Sequence, residues 1–185
     1  MDSFIFLLLT YLFLFIYVLE RSIFAFCVPI KYETNEKKWL TVLPSVSYVL
    51  IFFISVFEFS YNLNYPNYLA SFLGCVSLLV GTIFRYSALR SFQKNNQPWV
   101  NNVEPKFISR IVKNGIYKTV KHPYYISVIL ELLGISLILN TYISIAAIIF
   151  IQVPFLWKRI VVEEALLTKK FGECYISYLN GKSLV

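Results

Sequence analysis

Residues 124–157, YYISVILELLGISLILNTYISIAAIIFIQVPFLW, form two apolar runs that are separated only by Asn140 and Thr141. The runs, 124–139 and 142–157, each approach the roughly 20 apolar residues that a helix needs to cross a bilayer. Such a short polar connection is typical of two antiparallel helices. The stretch therefore predicts a tight helical hairpin whose other two ends lie together on one side of a membrane.

The rest of the chain has the same apolar character. Of its 185 residues, 58% are hydrophobic and 15% are charged, whereas about a quarter of the residues of a soluble domain are charged. Three more apolar stretches, 3–19, 39–58 and 68–86, are candidate spans. We therefore predict an all-α integral membrane protein with about five transmembrane helices. Helices 1 and 2 belong to residues 1–67, and helices 3–5 with a C-terminal amphipathic helix form a core in residues 68–185.

The positive charges fall on one side of this layout. All 17 Lys and Arg residues lie in 20–38, in 85–121 or after residue 157. Because positively charged loops stay in the cytoplasm, we expect the N-terminus outside, and the C-terminus and any site between these segments inside. Basic residues beside spans contact anionic lipids. We therefore expect membrane lipids, and no nucleic acid, as partners.

A metal site is not expected. The chain has a single histidine, and its three cysteines are far apart in the sequence. Neither the usual ligand set for zinc nor a disulfide framework can be assembled from these residues with normal motif spacing.

The single histidine lies in NGIYKTVKHPYYIS, residues 114–127. Gly115 can adopt a positive φ and allow close backbone approach. Pro123 suits the first turn of a helix, so His122 is placed at a helix N-terminus, where exposed N–H groups favour an anion. Taken alone, the stretch fits a cofactor pocket or an ordinary helix start with interfacial tyrosines.

A second polar segment, RIVVEEALLTKKFGECYISY, occupies residues 159–178. Arg159 and Glu163 are four residues apart and can pair on one helix face, and Glu164 points about a quarter turn away from Glu163. Apolar and aromatic residues continue at steps of three and four: Leu167, Phe171, Tyr175 and Tyr178. This stripe predicts an amphipathic helix that lies along the membrane.

Glu131 lies two turns inside the fourth span. An ionisable residue at that depth is costly and indicates either a functional group or a hydrogen-bonded carboxyl that ties helices together. Arg85, at the inner end of the third span, is its candidate partner.

Together the two polar segments resemble the isoprenylcysteine carboxyl methyltransferase family, whose pattern reads approximately G-x-Y-x-x-x-[RK]-H-P-x-Y, a helical hairpin, then R-x-x-x-E-E-x-x-L-x-x-x-F-G-x-x-Y-x-x-Y. The residues that fill it are Gly115, Tyr117, Lys121, His122, Pro123 and Tyr125, then Arg159, Glu163, Glu164, Leu167, Phe171, Gly172, Tyr175 and Tyr178. The match covers about residues 80 to 180. The form HPYYISVILELL looks most like a bacterial branch whose members resemble O-methyltransferases of alkylpyrone or alkylresorcinol lipids.

The resemblance implies a cytoplasmic pocket for S-adenosyl-L-methionine and methyl transfer to a carboxylate or hydroxyl of a lipid-like acceptor, such as a prenylcysteine C-terminus or a phenolic lipid. It places His122, Tyr125, Glu163 and Glu164 in the cofactor pocket, and we add the other motif residues Gly115, Tyr117, Lys121 and Pro123 as candidate cofactor contacts. We expect Arg159 and Glu163 to be the catalytic residues, which orient the acceptor oxygen. We add Glu131 and Arg85 as candidate acceptor contacts. Lys121 stands where arginine is commoner and lacks the bidentate fork for a carboxylate. The alternative is a non-catalytic or reductase-type membrane protein with the same fold.

Overall fold

The computed structural model describes residues 3–27, 39–62, 67–97 and 109–181, and in these ranges the chain is helical with no strand, which confirms the predicted all-α class. The elements are α1 (Ser3–Cys27), α2 (Trp39–Asn62), α3 (Tyr68–Lys94), a 3-10 turn (Gly115–Lys118), α4 (Pro123–Ile138), α5 (Tyr142–Ala147), a π turn (Ile148–Gln152), α6 (Val153–Phe171) and α7 (Glu173–Asn180). Several of the basic residues used to orient the chain lie outside the described residues: Lys31, Lys37, Lys38, Lys106 and Lys182.

Within the described ranges, three helical segments are long and apolar enough to cross a membrane: Val42–Tyr61, Tyr68–Lys94 and Tyr142–Phe171. The helix Pro123–Ile138 is apolar but shorter. The predicted first span, 3–19, is helical and lies within α1. The protein is therefore a membrane protein, while the count of five spans and the orientation of the termini stay predictions.

The hairpin predicted at Asn140 and Thr141 is present. Asn140 has a φ of +57°, a left-handed conformation that Asn tolerates better than most residues. The backbone N–H and the hydroxyl of Thr141 both donate to the carbonyl of Ser136, at 2.9 and 3.1 Å. These bonds satisfy the end of α4 while the chain reverses, so α4 and α5 lie next to each other.

Glu58, near the end of α2, caps the first turn of α5. Its carboxylate accepts hydrogen bonds from the backbone N–H groups of Tyr142, Ile143 and Ser144 at 2.8, 3.1 and 3.2 Å, and from the Ser144 hydroxyl at 3.3 Å. The first N–H groups of a helix have no partner inside the helix. A buried carboxylate from another helix satisfies them here and pins α2 to the hairpin.

α3 and α4 pack antiparallel at very short distance because small residues face each other. A Cβ on Gly74 would lie 2.7 Å from the carbonyl oxygen of Gly134, and a Cβ on Gly134 would lie 2.8 Å from the backbone nitrogen of Leu78. The hydroxyl of Ser77 donates to the carbonyl of Leu130 at 2.8 Å across the same interface. Small residues and interhelical hydrogen bonds are the usual means of helix association in membranes.

α5, the π turn and α6 form one helical segment from Tyr142 to Phe171. The π turn ends at the buried Gln152, which accepts from the Ser47 hydroxyl at 2.6 Å and donates to the carbonyl of Pro44 at 3.2 Å. The side chain of Gln152 therefore links the π turn to the part of α2 around Pro44 through two buried hydrogen bonds. The fifth span thus continues well past residue 157, without a break before the polar segment.

The helix breaks at Gly172, which has a φ of +55° and a ψ of −135°, a conformation that only glycine adopts readily. Leu167 and Phe171 therefore belong to α6, and Tyr175 and Tyr178 belong to α7. The expectation of one continuous amphipathic helix over 159–178 is wrong, because its periodic side chains run across a glycine that ends the helix.

Candidate active site

The N-terminus of α4 and the middle of α6 meet through His122 and Glu164. Pro123 occupies the first turn of α4, as predicted, and His122 precedes it in a non-helical conformation. The Nε2 atom of His122 lies 2.9 Å from Oε1 of Glu164. Both side chains are half-buried, so this pair lies at the rim of the contact between the two helices and not in its core.

The neighbouring carboxylate, Glu163, has a different partner. The phenol of Tyr125, which is buried, donates a hydrogen bond to Oε2 of Glu163. The guanidinium carbon of the buried Arg159 lies 5.3 Å from the centroid of the Tyr125 ring, within the range of a cation–π contact. The adjacent residues Glu163 and Glu164 of α6 therefore contact His122 and Tyr125, which are three residues apart at the start of α4.

The 3-10 turn, Gly115–Lys118, packs the beginning of the histidine-containing motif against α3 and α7. Gly115 has a φ of +65°, and a Cβ at this position would lie 2.4 Å from the Ser91 hydroxyl. The ring of Tyr117 packs edge-on against Phe92, with centroids 5.5 Å apart, and its carbonyl accepts from the Tyr178 hydroxyl at 2.9 Å. Burial raises the pKa of Tyr117 and raises the pKa of Tyr178 to about 12, so both phenols stay protonated at neutral pH.

The structure does not draw Lys121 into these contacts. Its side chain is half-buried next to His122, and it forms no ion pair with any of the residues that the structure describes. The carboxylate contact that an arginine would make there therefore stays a prediction.

Glu131 lies on another face of α4, where it meets Arg85 of α3. Nine residues separate Glu131 from His122, which is half a turn plus two full turns of helix. Glu131 is completely buried and pairs with Arg85, Nε to Oε1 at 3.4 Å, and with Arg21 of α1, Nη2 to Oε2 at 2.7 Å. The predicted Arg85 partner is thus confirmed, and the contacts are those of a carboxyl that ties helices together.

More side chains contact Glu131 and Arg85 than the sequence predicts. The Tyr17 hydroxyl donates to Oε2 of Glu131 at 3.0 Å, and it also bonds the Tyr48 hydroxyl. Arg85 pairs with Glu20 at 2.6 Å. We call Tyr17, Glu20, Arg21, Tyr48, Arg85 and Glu131 the buried ionic cluster; only the Arg21-to-Tyr17 spacing of one helical turn could have indicated it.

The pattern of the chain matches a known family. The family model for phospholipid methyltransferases (PEMT) matches residues 69–174, which is more than half of the chain. The chain belongs to the phospholipid methyltransferase family. The matched region of this family member begins in α3, ends in α7 and includes every residue of the candidate active site. α1 and α2 lie outside it.

Three curated relatives carry the same kind of name. The chain is 31% identical to the protein-S-isoprenylcysteine O-methyltransferase of Saccharomyces cerevisiae over 66% of this chain and 50% of the relative. It is 28% identical to the Schizosaccharomyces pombe protein of that name over 63% and 52%. It is 24% identical to protein-S-isoprenylcysteine O-methyltransferase B of Arabidopsis thaliana over 92% and 88%.

The chain thus spans about half the length of the two yeast relatives it matches. No solved structure matches it. The resemblance predicted from the two motifs is confirmed by these names and by the family match, and the bacterial branch stays a prediction. Among the described residues, no three His, Cys, Asp or Glu side chains are grouped to hold a metal ion.

Proposed function

We propose that this protein is an S-adenosyl-L-methionine-dependent O-methyltransferase that acts on the carboxylate of a prenylcysteine-like lipid, with its site on the cytoplasmic face. The observation that carries the proposal is the meeting of the two motifs at His122–Glu164 and Tyr125–Glu163. The names of the relatives support the reaction and the acceptor class.

The residues at this meeting point suit the methyl donor. The amino-acid end of S-adenosyl-L-methionine carries an ammonium and a carboxylate. Its binding site needs hydrogen-bond acceptors for the ammonium next to hydrogen-bond donors for the carboxylate. Glu163 and Glu164 are the acceptors for the ammonium. The backbone N–H groups of the first turn of α4 and its positive dipole end favour the carboxylate. The rings of His122 and Tyr125, with centroids 5.7 Å apart, offer faces to a cationic sulfonium.

The bound donor supplies an electrophilic methyl group. The chain must then hold the acceptor oxygen in line with it, and such positioning is worth about 7–11 kcal/mol in well-oriented reactions. We assign this task to Arg159, whose guanidinium matches a carboxylate. A prenylcysteine carboxylate is already ionised at neutral pH, so no base is needed. Glu163 accepts the Tyr125 hydrogen bond and orients that ring.

Transfer of a labelled methyl group tests the proposal. The full chain, purified in detergent, is incubated with methyl-labelled S-adenosyl-L-methionine and N-acetyl-S-farnesylcysteine. We expect label in the organic phase that mild alkali releases, because a carboxyl ester is base-labile and a phenol ether is not. We expect Glu163→Gln and His122→Ala to lose about two orders of magnitude of activity, and Glu173→Gln to keep it, since Glu173 is exposed on α7.

Three results would each contradict a part of the proposal. Full activity in both site variants would remove the residue assignments. Binding of a nicotinamide cofactor, with no binding of S-adenosyl-L-methionine, would favour the reductase-type alternative. Alkali-stable label in a phenolic lipid would keep the methyltransferase and replace the acceptor. The acceptor contacts predicted for Glu131 and Arg85 stay predictions, since both belong to the buried ionic cluster.

A further inference from the structure

The buried ionic cluster is an unusual way to join helices in a membrane protein. The side chains of Glu131 and Arg85 are 0% and 1% exposed. Breaking a buried ion pair is strongly destabilising, yet well-packed apolar residues of the same volume hold helices together equally well. What such a network adds is geometric definition, because each partner has fixed directions for its hydrogen bonds. The question is therefore what this cluster positions.

Tyr48 is the member of the cluster that faces the candidate active site. Its hydroxyl bonds Tyr17 and accepts from Nε of Arg21 at 3.2 Å, and the Arg21 guanidinium carbon lies 4.8 Å from its ring centroid. The ring also packs against the apolar core formed by Tyr125, Val128 and Leu156. One side chain of α2 therefore touches both the ionic cluster and the core that holds Tyr125.

Tyr125 has little freedom of its own. Its ring also packs edge-on against Tyr124, with centroids 6.2 Å apart, while its hydroxyl bonds Glu163 and its face lies near Arg159. A shift of the Tyr48 ring changes the wall behind the Tyr125 ring. Through the Tyr125 ring the shift reaches Glu163 and Arg159 of α6. The proposed function assigns binding of the methyl donor to Glu163 and orientation of the acceptor to Arg159.

We propose that Tyr48 and Arg21 are positioning residues for the active site, held by Tyr17 and Glu131, so that α1 and α2 form a necessary back wall of the pocket. This inference rests on the proposed function for its consequence in catalysis. It gives a role to two helices that lie outside the matched family region, residues 69–174. None of these residues touches the reacting groups in this scheme; they act through Tyr125.

The test compares two Tyr→Phe substitutions that each remove one hydroxyl group through which α1 and α2 are hydrogen-bonded. Tyr48→Phe removes the bonds to Tyr17 and Arg21 and keeps the ring. Tyr11→Phe removes the bond of 2.7 Å to Ser60 at the other end of the same helix pair. Both variants, and the unchanged protein, are labelled with 3-fluorotyrosine. The Tyr125 fluorine signal is identified by its loss in Tyr125→Phe.

We expect Tyr48→Phe to shift the Tyr125 fluorine resonance and to weaken S-adenosyl-L-methionine binding about two- to tenfold, the effect of one lost hydrogen bond. Tyr11→Phe leaves both unchanged, although both variants lower the unfolding temperature. If Tyr48→Phe, like Tyr11→Phe, changes neither the Tyr125 fluorine resonance nor the affinity for S-adenosyl-L-methionine, the inference is wrong.

Two further readouts keep the inference separable from the proposed function. If the unchanged protein does not bind S-adenosyl-L-methionine, the proposed function fails, while the fluorine resonance still tests the coupling. If Tyr48→Phe does not fold, Tyr17→Phe replaces it, because that change removes the bond between the Tyr17 and Tyr48 hydroxyls and leaves Tyr48 in place with its bond from Arg21. An unshifted Tyr125 signal in Tyr17→Phe would overturn the inference.

Discussion

Replacement of Glu58 tests how much one carboxylate contributes to the hairpin. In Glu58→Gln, one oxygen can still accept from Tyr142 and Ile143, as Oε1 does in the structure. The other oxygen becomes an NH₂ group that faces the N–H and hydroxyl of Ser144, which now bond Oε2. Two donors then face each other in a buried place, and the negative charge at the N-terminus of α5 is lost.

The magnitude follows from these two changes. Leaving one buried donor without a partner costs about 1–3 kcal/mol, and loss of the charge at the helix N-terminus costs a further 0.3–2 kcal/mol or so. We expect Glu58→Gln to destabilise the protein by about 2–4 kcal/mol. Glu58→Ala removes all the bonds to the first turn of α5 and should cost about 3–6 kcal/mol.

The assay combines a global and a local measurement. A loss of this size lowers the unfolding temperature in detergent by about 5–15 °C for a chain of this length. Hydrogen exchange of the amides of Tyr142, Ile143 and Ser144 should accelerate in Glu58→Gln, and amides in the middle of α6 should not change. Glu173→Gln, the same substitution at an exposed helix start, should cost at most about 1 kcal/mol and should leave the exchange of these three amides unchanged. Unchanged exchange at these amides in both Glu58 variants would refute the capping role.

Three other changes have defined outcomes. Gly134→Ala should destabilise by about 1–3 kcal/mol, because its Cβ meets backbone atoms 2.8 Å away, while Gly181→Ala, with its nearest atom at 3.4 Å, should stay within about 0.5 kcal/mol in the same unfolding assay; equal effects would refute the close-packing argument. Glu131→Gln should cost about 3–5 kcal/mol in that assay, since Arg21 loses its carboxylate partner and Arg85 keeps only Glu20, and a neutral result would refute the contribution of these ion pairs to stability. The pKa of Tyr178 is raised to about 12 in the folded state, so the folded state keeps a proton that the unfolded state releases near pH 10; its contribution to stability is present below pH 10 and is lost as the pH rises to about 12. Tyr178→Phe should therefore make the fall of stability with pH in this window shallower, and an unchanged slope in alkaline unfolding curves would contradict the pKa assignment.

The predictable parts of this protein are the local ones. Asn140 and Thr141 interrupt an apolar run, and a break of that kind admits few structures other than a hairpin. Pro123 fixes the start of α4, because proline suits the first turn of a helix and disfavours helical geometry in the residue before it, His122. The approach of His122 to Glu164 followed from the hairpin and from the family resemblance, because neither residue alone is distinguishable from an interfacial side chain.

The parts that escaped prediction depend on how the helices are arranged around one another. Glu131 bonds Tyr17 across 114 positions of sequence, and no periodicity in α1 indicates which face of the bundle it joins. The apolar and aromatic stripe that crosses Gly172 predicts one helix, but the structure has two. Side chains can keep helical spacing in the sequence even where the backbone helix ends. The capping role of Glu58 is not visible in the sequence, since its donors belong to a helix that begins at Tyr142.

The continuous helical segment Tyr142–Phe171 has 30 residues and is therefore about 45 Å long, some 15 Å more than the hydrocarbon core of a bilayer. If its first residue lies at one hydrocarbon boundary, residues near Val161 lie at the other, so Arg159 and Glu164 stand where the acyl chains meet the headgroups. Under the proposed function, this position would bring two reactants of opposite solubility together without either changing phase. The lipid acceptor would arrive by diffusion in two dimensions and the water-soluble donor by diffusion in three, and the encounter rate would depend on the surface density of the acceptor.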